Sequence, residues 1–235
     1  LQGVSNLLDD IIEYFPDPSK RVCSGIQQKT NEIFEANYDF RKQKSAYVWK
    51  TMVDPFIGKY NLIKVCSGAL KPDDTLYDVD KDEDQRLGKL YVLTGNKPVE
   101  VAELFAGDIG ALGKLGDVTT GDSLSTKASP IIYPKAILST PYTYKRYKAV
   151  NKGDEDKISQ ALTKMGAEDL TFKVVQDSAN HQSLIYGMGE QHLDIIINKL
   201  KAKFGVEVDL NVPRVAYRET IRKVADKQGR HKKQS

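Results

Sequence analysis

Residues 187–212 have the sequence GMGEQHLDIIINKLKAKFGVEVDLNV, and their pattern decides the fold of the second half of the chain. From Leu193 to Phe204, apolar residues recur every three or four positions, which is the spacing of one face of an amphipathic helix. The VEVDLNV run that follows alternates apolar and polar residues, as a strand with one buried face does. The stretch therefore predicts a helix over 190–204 followed directly by a strand.

The sequence upstream supplies the other half of the same pattern. Residues 142–150 predict a strand and residues 157–168 a helix, and the strands LTFKVVQ and SLIYGMG then flank the turn DSANHQ. The order is βαββαβ, the ferredoxin-like plan, in which both helices cover one face of a four-stranded sheet. Because Arg146 and Lys148 interrupt the apolar pattern of the first strand, the sequence does not decide which of its two faces points toward the core. We assign this domain to residues 132–212.

Residues 44–131 have a different texture, with short β-rich runs separated by turns. The runs include AYVWKTMV, YNLIKV, TLYDV, KLYVLT and DIGAL, and they recur at a spacing of about ten residues. No helical pattern interrupts them. Such a series is typical of a small antiparallel β-barrel.

The N-terminal segment predicts an isolated amphipathic helix, with Ser5 as its N-cap and Pro16 at its end. Its apolar stripe consists of Leu8, Ile11, Ile12 and Phe15. Nothing else in the chain offers a surface for this stripe, so we expect residues 1–18 to be the edge of a larger body that is missing here. Residues 19–43 are polar and lack periodicity, which predicts a connecting segment.

Composition excludes several classes of protein. Of 235 residues, 40% are hydrophobic and 29% charged, which excludes a disordered tail and a collagen-like repeat. No apolar run approaches the roughly 18 residues of a membrane span, so we expect a cytoplasmic protein without a membrane partner. Cys23 and Cys66 lack metal-ligand spacing, and we expect reduced thiols in place of a disulfide or a zinc site.

The net charge of +3 hides a basic C-terminal end. Residues 214–235 carry eight Lys or Arg against Glu219 and Asp226, a local charge of +6, and the rest of the chain carries −3. Such a cluster fits contacts to nucleic-acid phosphates and equally fits a solvated terminus. The candidate RNA-contacting residues are Arg214, Arg218, Arg222, Lys223, Arg230, Lys232 and Lys233.

Three short motifs imitate chemical sites without their supporting residues. Residues 151–154 spell NKGD, a guanine-binding signature, but the chain has no phosphate-binding GxxxxGK[ST] loop. Residues 121–124 spell GDSL, but no histidine follows at the spacing that a serine nucleophile needs. The acidic run that includes Asp78, Asp80 and Asp82 lacks the glycine and the terminal glutamate of a calcium-binding loop. We therefore predict no catalytic residue, metal site or cofactor site in this chain.

Several of these runs resemble bacterial elongation factor G, the translocation GTPase. GMGEQHLDIIINKLKAKFGVEVDLNVPRVAYRETI, residues 187–221, is similar to the passage from its third domain into its fourth, and KISQALTKMGAEDLTFKV resembles the start of the third. WKTMVDPFIGKYNLIKVCSGAL and the turns AGDIGAL and TTGDSL resemble its second-domain barrel. GVSNLLDDIIEYFPDP is similar to the last helix of its GTP-binding domain.

The resemblance implies a barrel followed by a ferredoxin-like domain, with residues 213–235 as the start of a truncated fourth domain. It also implies that GTP and Mg²⁺ bind in a domain absent here, so this chain should not hydrolyse GTP. The implied partner is the ribosome, through its small subunit and ribosomal RNA, and we expect a monomer. Glu190, Gln191, His192 and Leu193 stand where the family has GELH, a helix start that faces the GTPase domain and the fusidic-acid pocket. Alternatively, His192 only caps and packs.

Departures from the family keep other functions open. Gln191 replaces a usual leucine and Leu170 a usual proline, and residues 73–84 carry seven acids where the family commonly has a neutral or basic loop. Such a loop should be repelled by RNA phosphates. The alternatives to a translocase are a ribosome-protection or recycling paralogue and a stand-alone RNA-binding module.

Overall fold

The computed structural model describes residues 3–17, 20–54, 58–95 and 97–233. It begins with helix α1, Val4–Tyr14, whose N-cap is Gly3. Ser5, which we predicted as the N-cap, instead lies in the first turn, because Gly3 adopts the left-handed backbone (φ 83°) that starts the helix earlier. No residue of α1 is buried, and the predicted apolar stripe is open to solvent, with Ile12 81% exposed.

The segment predicted as a plain connection contains a β-hairpin. Strands β1, Ser24–Gln27, and β2, Ile33–Glu35, form a three-stranded antiparallel sheet with β13, Ile131–Ile132. Gly25 permits this pairing, because a Cβ at that position would lie 2.6 Å from a methyl group of Ile131. The strands are too short and too exposed to leave an alternating pattern in the sequence.

The next strands curl around one core, which confirms the predicted barrel fold. Eight of them pair antiparallel in the order β7-β6-β12-β3-β4-β11-β8-β9, and β5 pairs with β10. Leu76 and Leu90, on strands near the two ends of this order, share one buried cluster, so the sheet curls around them. The strands are β3 Ser45–Asp54, β4 Gly58–Ser67, β5 Ala69–Leu70, β6 Thr75–Asp78, β7 Glu83–Arg86, β8 Leu90–Thr94, β9 Lys97–Val101, β10 Leu104–Phe105, β11 Ile109–Gly113 and β12 Ser123–Ser125.

The last unit has the predicted ferredoxin-like fold. All its strands pair antiparallel in the order β15-β16-β14-β17, and both helices contribute to a single core on one face of this sheet. The predicted second helix turns π-helical at Leu200–Phe204. The elements are β14 Thr143–Ala149, α2 Glu155–Glu168, β15 Lys173–Asp177, β16 Gln182–Gly187, α3 Glu190–Lys199 and β17 Val208–Asn211.

The structure settles which face of β14 is buried. Tyr147 and Ala149 pack against the helix-covered core. Because side chains alternate along a strand, Arg146 and Lys148 lie on the opposite, open face of the sheet. None of the helices in the described ranges is long and apolar enough to span a membrane.

One buried carboxylate in the barrel is poorly satisfied. Asp78, at the end of β6, is 0% exposed, and its Oδ1 accepts a hydrogen bond from the backbone N–H of Asp80 at 3.1 Å. Its Oδ2 has no hydrogen-bond partner among the described residues. Burial, together with the nearby charge of Asp122, raises the pKa of Asp78 to about 6.

Replacing Asp78 should stabilise the barrel at neutral and higher pH. Its folded-state pKa lies above the unfolded value, so the folded state binds the proton more tightly and wild-type stability falls as pH rises from about 4 to 6. Asp78→Asn removes the buried charge, and we expect it to raise the free energy of unfolding by about 1 kcal/mol at pH 8 and by much less at pH 4. Urea unfolding at both pH values measures the difference, with Asp117→Asn as the exposed control. An equal effect at both pH values would contradict this account.

Candidate functional site

The start of helix α3 is organised around His192. Its Nδ1 accepts a hydrogen bond from the backbone N–H of Met188 at 3.0 Å, and its Nε2 lies 3.1 Å from Oδ2 of Asp169. Since Nδ1 accepts, the proton of the neutral ring must sit on Nε2, which donates to the carboxylate. Both ring nitrogens are therefore occupied within the domain. This geometry favours the capping and packing role for His192 over contact with another body.

Asp169 joins three elements through this network. The backbone N–H and the hydroxyl of Thr171 both donate to its Oδ1, at 2.9 and 2.5 Å. Burial acts to raise the pKa of Asp169, but the hydrogen bonds from Thr171 and His192 outweigh it and hold that pKa below its usual value. The end of α2, the turn before β15 and the start of α3 are thereby fixed to one another.

The other candidate residues of this helix start fall into two groups. Leu193 is 1% exposed and belongs to the core, where it packs so close to Gly187 that a Cβ there would lie 2.8 Å from its methyl carbon. Glu190 and Gln191 are exposed, and Glu190 forms an ion pair of 3.0 Å with Lys145. Only Glu190 and Gln191 of the four are thus available to a partner. Their contact with a GTPase domain stays a prediction.

The predicted RNA-contacting residues lie on an extended, exposed tail. Residues 212–233 form no helix or strand, and none of the seven candidate side chains forms a salt bridge with the described part of the chain. The tail is anchored at its start, because the side-chain amide of Gln182 donates to the carbonyl of Arg214 at 2.8 Å and accepts from its N–H at 2.9 Å. The tail therefore leaves the sheet at a fixed point with its positive charges uncompensated.

The barrel and the ferredoxin-like domain meet at Glu168, the last residue of α2. Its Oε1 accepts a hydrogen bond from the backbone N–H of Val53 on β3 at 2.8 Å. Lys203 lies 3.3 Å from both of its carboxylate oxygens, and the Glu168 side chain is only 14% exposed. One carboxylate thus ties the barrel to both helical segments of the next domain.

Our sequence analysis missed Glu168, although one signal could have found it. A negative charge in the last turn of a helix faces the negative end of the helix dipole, which is unfavourable without a compensating partner. Glu168 stands there, and Val53 and Lys203 supply the compensation. The partners could not be named from the sequence because one of them is a backbone group of another domain.

The NKGD and GDSL runs, which imitate a guanine-binding site and a hydrolase site, have structural roles. Residues 151–154 form the turn before α2, with Asp154 at the N-cap. Ser123 of the GDSL run is 0% exposed and its hydroxyl accepts the backbone N–H of Tyr133 at 2.9 Å, which ties β12 to the chain beyond β13.

Four of the seven acids in the acidic run form ion pairs with lysines or an arginine. Arg86 pairs with Asp73 at 2.9 Å, and other acids of the run pair with cations from distant segments. Those pairs are Lys44–Asp74, Lys127–Asp84 and Lys135–Asp80. Carboxylate oxygens of Asp78, Asp80 and Asp122 also lie within 4.8 Å of one another, but the ammonium groups of Lys81 and Lys135 already lie beside them.

Comparison with known families agrees with this geometry. Residues 43–127 match the family model described as Elongation factor G domain 2, and residues 138–212 match the model described as Elongation Factor G, domain III. The chain belongs to the elongation factor G family. The two matched ranges coincide with the barrel and with the ferredoxin-like sheet, so this elongation factor G chain carries the second and third domains of the family.

A solved structure supports the same assignment. A crystal structure of a protein from Thermus thermophilus is 30% identical in sequence, with a TM-score of 0.73. The match covers 91% of this elongation factor G chain but 30% of the Thermus chain. The present chain therefore spans less than a third of the length of the protein it matches.

The Asp169 network predicts a pH-dependent contribution to stability. The pKa of Asp169 is lower in the folded protein than in the unfolded chain. The stability that this carboxylate contributes is therefore present above the unfolded-state pKa and is lost as the pH falls through the folded-state pKa. We expect Asp169→Asn to lower the free energy of unfolding by about 1 kcal/mol at pH 7, and by progressively less as the pH falls below the unfolded pKa of about 4. Denaturant unfolding across this range measures it. Asp226→Asn on the exposed tail is the control, and a pH-independent loss in Asp169→Asn would refute the ionic explanation.

Proposed function

We propose that this chain is the middle part of a ribosomal translocase, where it serves docking and relay and carries no catalytic group. The observation that supports this most is the joint at Glu168, which connects two domains with separate cores. Domains of this kind can rotate as rigid bodies while a small contact between them changes. A nucleotide state sensed elsewhere would be transmitted through that contact.

The proposal extends to partners and cofactors. GTP and Mg²⁺ bind in a domain outside this chain, and the barrel and third domain dock on the small ribosomal subunit and its RNA, in the cytoplasm and as a monomer. The exposed apolar stripe fits a helix that packs against such a further domain, because a group of apolar side chains on one helix face rarely stays in water. The acidic run would lie away from ribosomal RNA, because its seven carboxylates outnumber the four cations of its ion pairs and leave it negative.

A functional assay on the full-length protein that contains this chain tests the proposal. Ribosome-stimulated GTP hydrolysis together with movement of the messenger RNA would support a translocase. Stimulated hydrolysis without movement would favour the ribosome-protection or recycling alternative. GTP hydrolysis by the present chain alone would overturn the assignment of catalysis to another domain.

Breaking the joint should separate the two activities. Glu168→Ala leaves the Val53 N–H and the Lys203 ammonium without their carboxylate, and we expect translocation to slow about tenfold, or about 1.4 kcal/mol, with GTP hydrolysis nearly unchanged. Glu103→Ala is the matched control, because it breaks a 2.7 Å ion pair with Lys71 in which both residues belong to the barrel domain. Equal losses in both variants would mean that Glu168 only stabilises the fold.

The basic tail favours RNA binding as a second candidate function, because its seven candidate RNA-contacting side chains have no carboxylate partner in the described structure. Replacing Arg230, Lys232 and Lys233 by alanine should weaken binding of ribosomal RNA and reduce the slope of log K against log salt by about 2, since each lost phosphate contact removes roughly 0.7. The control is a triple alanine variant at exposed lysines elsewhere, which are Lys97, Lys152 and Lys164. An unchanged slope would identify the tail as a solvated terminus.

A further inference from the structure

A cavity of about 520 Å³ lies where the β1–β2 hairpin meets the barrel, and it contains both cysteines of the chain. Its walls are mostly aromatic and apolar, with two cations near the thiols. The residues that matter here are Cys23, Tyr38, Trp49, Lys64, Cys66 and Tyr133. Neither cysteine is part of the docking and relay role proposed above.

The backbone brings the two thiols together. Cys23 precedes β1, and its carbonyl accepts the N–H of Ala36 at 2.8 Å, whereas the carbonyl of Cys66 on β4 accepts the N–H of Tyr38 at 3.1 Å. Residues 36–38 thus form backbone hydrogen bonds with both cysteines. Both side chains pack in the small core around Tyr133, and both are free thiols.

The two thiols have different surroundings. Cys66 is 3% exposed, and contact with Cys23 together with burial raises its pKa. Cys23 is half-buried and can be reached through the cavity. The neighbouring Cys66 thiol lowers the pKa of Cys23 to about 7, against the opposing effect of burial, and Tyr38, Lys64 and Arg21 help to stabilise the thiolate.

Lys64 is held where its charge acts on the cavity. Its ammonium lies 4.8 Å from the centre of the Tyr38 ring, a cation–π distance, and Tyr38 in turn contacts Cys23. A half-exposed thiol beside a cation, a phenol and a second thiol has the surroundings of a reactive cysteine with a resolving partner.

We propose that this cavity is an oxidative modification site, in which Cys23 reacts with a hydroperoxide and Cys66 then closes a disulfide with it. In the first step the Cys23 thiolate attacks the outer peroxide oxygen, the O–O bond breaks, and the alkoxide or hydroxide leaves with a proton from water. In the second step the Cys66 sulfur attacks the Cys23 sulfenic acid, and the thiol proton leaves with the hydroxide as water. Two thiols supply the two electrons that reduce the peroxide.

The disulfide would fasten the hairpin to the barrel. Cys23 lies in the segment between α1 and β1, whereas Cys66 lies on a central barrel strand. In the reduced protein these parts are joined by hydrogen bonds and by the β1–β13 pairing, which can open locally. A covalent link would hold the segment after α1 at one position on the barrel.

Hydrogen peroxide treatment of the whole chain, followed by mass spectrometry, tests the proposal. We expect loss of two hydrogen atoms in an intramolecular Cys23–Cys66 crosslink, reversed by dithiothreitol. Cys66→Ser should instead accumulate a dimedone-reactive sulfenic acid on Cys23, and Cys23→Ser should show neither product. A disulfide only between two chains, or sulfenic acid on Cys66 in place of Cys23, would overturn the proposal.

The pH dependence of iodoacetamide alkylation provides a second, independent readout that needs no disulfide. The rate at Cys23 should rise with a midpoint near pH 7, and Cys66→Ser and Lys64→Met should each move that midpoint upward. Lys97→Met on β9 is the matched control and should leave it unchanged. A midpoint at the ordinary thiol value in the wild-type chain, with no response to Cys66→Ser, would show that Cys23 is an ordinary surface thiol and end the proposal.

Discussion

The carboxylate of Glu168 provides a polar contact between the two domains of this chain, where helix α2 lies against strand β3. It accepts from a backbone N–H of the barrel and faces the ammonium of Lys203, so it satisfies one donor from each side. Each domain has a complete core of its own, and neither core needs the other. The Glu168 carboxylate thus adds a polar link between two domains whose internal folds depend on separate apolar cores.

Periodicity made most of the fold predictable. The alternation after residue 206 and the helical spacing before it gave the correct elements, because each has one buried face that selects apolar residues. The β1–β2 hairpin escaped detection because strands of three or four residues with little burial exert no such selection. The Ser5 cap was wrong for a local reason, since Gly3 offered a left-handed start two residues earlier.

The candidate site was only partly predictable. Exposed charge, as in the basic tail, is visible in the sequence, but a contact between domains is not. Glu168 contacts Val53, and Cys23 lies beside Cys66, although the members of each pair are far apart along the chain. The sequence spacing of these residues does not predict either contact. Family resemblance pointed to the helix start at Glu190, yet His192 turned inward to hold the backbone before α3, where every member of its network has a partner.

The Gln182 amide attaches the basic tail to the sheet of the third domain. By mimicking the two hydrogen bonds of a neighbouring strand, it extends the sheet to Arg214 without requiring a regular strand there. Residues 215–233 form no helix or strand and carry the other six candidate cations. The side chain of one glutamine thus determines the place on the third domain from which this positive charge extends.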